Sequence, residues 1–143
     1  MAANYDPSNV FAKILRGELP AQTVFEDAET LAFMDIMPRV DGHTLVIPKT
    51  PARTLLDATH GQLAACMKTV QLVAKAMTQA FDADGLTLQQ VTEAAGGQVV
   101  FHLHFHILPR HDGVPLRPPG TMAKGDVLAA NAEKIKAALK SMA

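Results

Sequence analysis

Residues 99–110 read VVFHLHFHILPR, and this run constrains the chain more than any other stretch. Three of the six histidines recur at every second position, with bulky apolar residues between them. A period of two is the strand period, because successive side chains of an extended chain point to opposite faces. Val99, Phe101, Leu103, Phe105 and Ile107 then share a face that packs into a core, while Val100, His102, His104, His106 and Leu108 share the other. A helix would scatter the imidazoles around its circumference; a strand sets them in a row, roughly 6 to 7 Å apart at the backbone. Pro109, without an amide to donate, is expected to end the strand.

The preceding sequence supplies a sheet to receive it. QTVFE and TLAFMDI, on either side of Asp27-Ala28-Glu29, alternate as the strands of a hairpin, and HTLVIP reads as a third. LTLQQV continues the sheet, and the small-residue loop TEAAGGQ turns it back into the histidine strand. Helical spacing occurs three times. Val10, Phe11, Ile14 and Leu15 form the stripe of a short helix following Ser8, with Gly17 placed for a left-handed cap. Leu63, Met67, Val70, Ala74, Met77 and Phe81 mark the one long helix, over about residues 60–81, which Thr59 and Gln62 can open with a capping box. Leu128, Ala132, Ile135 and Leu139 mark a final amphipathic helix after the Pro- and Gly-rich segment 111–125. Together these predict an α+β fold, an antiparallel sheet with helices on one face and the histidines on the other. The expected organisation is a single domain over 1–143, with a core at about 8–110 and a C-terminal extension over 111–143.

At 143 residues and 48% hydrophobic content, one proper core can be buried. A formal net charge of −1 gives no basic footprint, so neither nucleic acid nor an anionic membrane is an expected partner. No stretch approaches the roughly 20 apolar residues of a membrane span, and MAANYDPSNV lacks the basic start and apolar run of a signal peptide. Cys66 is the single cysteine, which removes disulfides and thiolate zinc sites within the chain and favours a reducing, cytoplasmic location. His60 and His111, outside the row, read as solvent-exposed.

Two chemistries suit a row of imidazoles. Two histidines at i and i+2 reach a single metal ion easily, but His102 and His106 start roughly 13 Å apart by the strand rise, so a three-histidine site on one straight strand is strained. Asp35 or His43 could complete a site from elsewhere in the fold. Phosphate chemistry fits the row better: the central imidazole can act as nucleophile while its neighbours donate hydrogen bonds to phosphoryl oxygens. Gly96, Gly97 and Gln98 just before the strand let backbone amides approach an anion, and Gln98 can contact a phosphoryl or leaving-group oxygen.

GGQVVFHLHFHILPR resembles the signature of the histidine triad (HIT) family, and NVFAKILRGELPAQTVFEDAETLAFMDIMPRVDGHTLVIPK is similar to the N-terminal half of its bacterial Hint-like branch. The resemblance covers most of residues 8–110. It implies a HIT-like fold, a homodimer, a purine nucleotide as partner, and hydrolysis or transfer at the α-phosphate through a nucleotidyl-histidine intermediate. His104 is then the nucleophile, flanked by His102 and His106, and His43 in DGHTLVIPK is the fourth histidine that orients or polarises the triad. Asp35 in AFMDIMP matches the acceptor for ribose hydroxyls, and Phe11 and Ile14 resemble the apolar walls around the base.

Three positions depart from the family pattern. Thr92 stands where many relatives have Asn, and Val99 where they have Ser or Thr; both fall with Gly97 and Gln98 on the nucleotide's phosphate side. Ala12 replaces a cysteine that binds zinc in some relatives, so no structural zinc and no other cofactor is expected. Two further functions compete with hydrolysis of phosphoramidates or dinucleoside polyphosphates. One is a dimeric nucleotide sensor or scaffold whose catalysis is weakened through Thr92 and Val99; the other is a metalloenzyme using His102, His104 and a residue such as His43.

Overall fold

The computed structural model describes residues 4–143; residues 1–3, at the head of the stretch scanned above for a leader, lie outside the described residues. The elements run α1 (Val10–Leu15), β1 (Thr23–Glu26), β2 (Thr30–Met34), β3 (Thr44–Pro48), α2 (His60–Phe81), β4 (Gly85–Gln89), α3 (Glu93–Gly96), β5 (Phe105–Arg110) and α4 (Gly125–Met142). The fold is α+β, with the five strands in one antiparallel sheet of order β1-β2-β3-β5-β4.

The β1–β2 turn closes on Asp27, whose Oδ1 accepts from the amides of Glu29 and Thr30 at 2.9 and 2.7 Å. β2 and β3 are buried at every position, so both faces of the sheet need cover. Ala32, Met34 and Val46 join Leu103, Phe105 and Ile107 in the core against α2 and α4. Leu31, Phe33, Leu45 and Ile47 point the other way and pack against Phe11 of α1. The expectation of helices on one face is corrected accordingly: α1 covers the second face, because its apolar strand residues cannot be left in water.

α2 opens with the expected capping box, Thr59 and Gln62 satisfying each other's amides at 2.8 and 3.0 Å, and closes on Asp82 in the left-handed conformation. Thr69 of α2 and Thr30 of β2 pair their buried hydroxyls at 2.7 Å, so neither is left unsatisfied. α4, at 18 residues nearly as long as α2, places Leu128, Ala132, Ile135 and Ala138 in the same core. Burying a side chain such as Ile135 stabilises by about 1.5 to 3 kcal/mol, which ties the C-terminal segment to the sheet.

Several sequence expectations shift. β5 begins at Phe105, so Val99 is not the first residue of a strand, and His102 and His104 lie in the irregular run before it. Pro109 does not end the strand but pairs with Leu86 of β4; β3 has already stopped at Thr44 opposite Ile107, so no ladder needs the missing amide on that side. The loop after β4 contains the single turn α3. α1 is capped by Asn9, whose side chain accepts from the Ala12 amide, and Gly17 takes the expected positive φ of 77°. His111 is half-buried rather than exposed, its Nε2 donating at 2.9 Å to the carbonyl of Phe81, one of the unpaired carbonyls that end α2. Among the described residues no helix is long and apolar enough to cross a membrane.

Candidate active site

The sheet register assembles the site. Residues directly opposite one another in antiparallel strands share a face, so Phe33, Leu45 and His106 form one row across β2, β3 and β5. This is the face covered by α1. Phe11 reaches down to it and meets His104 edge-on, ring centroids 4.9 Å apart, while its other contact is Phe33 at 5.3 Å. His104 and His106 meet edge to face, also at 4.9 Å. Asp35 and His43 stand at the matching ends of β2 and β3, joined by a hydrogen bond from the Asp35 amide to the His43 carbonyl. Gly42 in the turn between them has a φ of 96°, and a Cβ there would lie 2.7 Å from the Phe81 ring, so both conformation and space require glycine.

The hydrogen bonds fix the tautomer of each imidazole, since a carbonyl only accepts and an amide only donates. His104 Nδ1 lies 2.6 Å from the carbonyl of His102, so Nδ1 carries the proton and Nε2 keeps its lone pair. His102 Nε2 lies 2.8 Å from the carbonyl of Pro48, so Nε2 is protonated and Nδ1 is bare; the phenol of Tyr5 donates to it at 2.5 Å. His43 Nδ1 accepts from the Arg39 amide at 3.0 Å, so its Nε2–H donates to His106 Nδ1 at 2.9 Å. His106 in turn holds its proton on Nε2. Burial pushes His102, His104 and His106 each down to about 4, and lowers His43 as well against the pull of Asp35. All four are therefore neutral at pH 7, the form in which an imidazole is a nucleophile.

The row is less open than its sequence suggests. His102 is fully buried, His104 is 6% exposed, and His106 is half-buried. Asp35 uses Oδ1 to accept from the Met37 amide at 2.8 Å, a local turn, and turns Oδ2 toward His43 Nε2 at 3.4 Å and His106 Nδ1 at 4.0 Å. Ile14 packs against the cluster of Phe11, Leu31, Phe33, Leu45 and Ile47 and lines a groove with Leu15, Leu19, Ala21 and Leu31.

The residues before the triad are held as a brace. Gln98 is buried; its Oε1 accepts from the Glu93 amide at 2.7 Å, and its Nε2 donates to the carbonyls of Arg53 and Val100 at 2.9 and 3.0 Å. The side-chain amide expected to face a phosphoryl oxygen is thus spent on backbone, because the turn has no ladder of its own. Gly97 follows α3 at a φ of 103°, Thr92 donates from Oγ1 to Gln90 at 3.1 Å, and Val99 is 83% exposed. Arg53 clamps this turn from outside, paired to both oxygens of Glu93 and stacked 4.3 Å over Phe101. Tyr5, Arg39 and Arg53 carried no spacing signal; Tyr5 is the single tyrosine of the chain, in a stretch that patterns as a loop.

A metal trio of His102, His104 and His43 is not formed, since both ring nitrogens of His102 are committed. The side chains that do converge are Asp35, His43 and His106, with ligand atoms within 4.8 Å of one another. The Arg39 amide on Nδ1 makes His43 present a proton at Nε2 rather than a lone pair, so this trio is built as a hydrogen-bond relay and does not fit a metal ion.

Residues 16–113 match the family model described as the HIT domain. A Hit-like protein from Bartonella henselae is similar at 51% identity with a TM-score of 0.91, covering 94% of this chain and 98% of that one. A hypothetical histidine triad nucleotide-binding protein from Sulfolobus tokodaii is 33% identical with a TM-score of 0.86, covering 92% of each. The adenylylsulfatase HINT3 of Arabidopsis thaliana is 40% identical over 103 residues, 72% of this chain and 52% of that protein, so the chain spans about half of that relative.

Proposed function

The chain belongs to the HIT domain family, and on that premise we propose that it is a nucleotide-binding hydrolase or transferase acting at the α-phosphate of purine nucleotide conjugates. The observation that carries this reading is the hydrogen bond from His104 Nδ1 to the His102 carbonyl, which leaves a neutral imidazole with its Nε2 lone pair available. In the first step that lone pair forms a bond to the α-phosphorus while the bond to the leaving group breaks; an amine leaves with the bonding pair and takes a proton from solvent. The nucleotidyl-imidazole is cationic, and the His102 carbonyl accepts from its Nδ1–H throughout. Water then attacks phosphorus and gives up a proton to solvent, replacing the one the amine took, the P–N bond breaks back to Nε2, and a nucleoside monophosphate is released. His106, its Nδ1 filled by His43, offers Nε2–H to a phosphoryl oxygen.

Asp35 is the acceptor for ribose hydroxyls in this reading, and Phe11 forms one wall of the base site, with Ile14 behind it. Val99 contributes its backbone amide at the phosphate, with Thr92 on the same loop; the amides of Gly97 and Gln98, expected to approach an anion, are instead spent on the carbonyls of Ala94 and Glu93 at 3.0 Å each, so Gly97 serves by its turn and not by its amide. A homodimer is part of the proposal: β4 is an edge strand whose Leu86 and Leu88 are exposed beside unpaired backbone groups, a surface that a second copy can cover. Incubation with an adenosine phosphoramidate and a diadenosine polyphosphate, followed by mass spectrometry, should give an acid-labile nucleotidyl adduct on His104. His104→Ala should lose more than roughly a thousandfold in kcat and still bind a nucleoside monophosphate. Substantial residual turnover by that variant, or an adduct elsewhere, would sink the assignment.

A further inference from the structure

We propose that Tyr5 is a positioning residue for His104: its phenol completes the hydrogen bonding of His102 and thereby fixes the carbonyl that aims the central imidazole. The inference rests on His104 being the nucleophile and adds a residue from the N-terminal segment to its support.

His102 is fully buried and lies in the run before β5, outside any strand ladder. One backbone bond holds its immediate neighbourhood, from the Leu103 amide to the Ala52 carbonyl at 2.8 Å. The side chain of His102 supplies what a ladder would otherwise give. Its ring is pinned at opposite edges, Nε2 on the Pro48 carbonyl and Nδ1 on the Tyr5 hydroxyl, so it cannot turn without breaking both bonds. The Tyr5 ring adds an edge-on contact at 5.5 Å. With the side chain held, the His102 carbonyl stays 2.6 Å from His104 Nδ1 and keeps the proton off Nε2.

Tyr5 is itself held. Arg53 reaches the carbonyl of Asn4 at 3.4 Å, Arg16 donates to the carbonyl of Pro7 at 2.8 Å, and the Asp6 carboxylate closes a turn onto Ser8 before the Asn9 cap of α1. Burial raises the Tyr5 phenol above its ordinary value, so it remains a donor across the neutral range. Without that donor, His102 Nδ1 becomes a buried acceptor with nothing to accept, and the ring is free to turn or to change tautomer.

Tyr5→Phe tests this, since it keeps the ring and removes only the hydroxyl. In nucleotide-free protein labelled at histidine, proton–nitrogen correlation NMR of the imidazoles should show wild-type His102 as the pure Nε2–H tautomer and His104 as the pure Nδ1–H tautomer. In the variant the His102 Nδ1 signal should move to that of a nitrogen without a donor, and His104 should show a mixture of tautomers. On an adenosine phosphoramidate, kcat should fall about tenfold with KM within about twofold of wild type, because aim is lost and not a substrate contact. An unchanged His104 tautomer, or unchanged kcat, overturns the proposal. If the wild-type protein forms no nucleotidyl-His104, the hydrolase reading fails, and the NMR comparison still decides whether Tyr5 governs His104.

Discussion

Replacing Gln98 separates two roles that a glutamine beside a phosphate site can have. Its buried side chain makes three hydrogen bonds to partly exposed partners, accepting from the Glu93 amide and donating to the carbonyls of Arg53 and Val100. Gln98→Ala removes all three at once. At about 1 kcal/mol net for each bond, the expected loss is on the order of 3 kcal/mol. For a chain of this length that corresponds to a fall in Tm of roughly 10 °C. Gln98→Glu should cost at least as much: one carboxylate oxygen can still accept from Glu93, but the other faces two carbonyls with no proton between them, in a buried position. Calorimetric melts of the two variants, with kcat/KM on a phosphoramidate measured in parallel, read both roles. A Tm within a degree or two of wild type, with the loss confined to kcat/KM, would show that Gln98 is a direct ligand of the substrate and that its service as a brace is incidental.

Acid should destabilise the protein before most of its carboxylates are protonated. His102, His104 and His106 are held near 4 in the fold against about 6.5 when unfolded, so the unfolded chain takes up protons the native state refuses. Stability is full above 6.5 and falls as pH drops toward 4; a urea midpoint that stays flat between pH 6.5 and 4.5 would contradict the burial of neutral imidazoles. The same depression predicts an acid limb of kcat/KM well below 6.5, and a limb at 6.5 or above would show that the free enzyme's His104 is not desolvated as described. Val99→Thr should raise kcat/KM by about 3- to 30-fold if a hydroxyl there stabilises transition-state charge. Val99 is 83% exposed, so the swap should leave Tm unchanged; unaltered kcat/KM would remove the hydroxyl from the argument.

Periodicity was legible because it is a local property. The spacing of two in VVFHLHFHILPR separates Leu103, Phe105 and Ile107 from the histidines by backbone geometry alone, but it fails ahead of the strand: Val99, expected on the core face, is 83% exposed, and Phe101 lies under Arg53 outside the core. The spacing of Leu63 through Phe81, with Thr59 and Gln62 at its head, likewise determines α2 from contacts a few residues apart. The limits of β5 were not local: whether Pro109 ends a strand depends on which neighbour needs its amide, and β3 stops before it does. Nor could spacing assign Gln98, whose partners include Arg53, 45 residues away. The tautomers are the clearest case. His43 meets His106 across 63 residues and Tyr5 meets His102 across 97, so the sequence determines that three imidazoles share a face, while only the packed sheet, by bringing particular carbonyls, an amide and a phenol against the ring nitrogens, decides which nitrogen carries each proton.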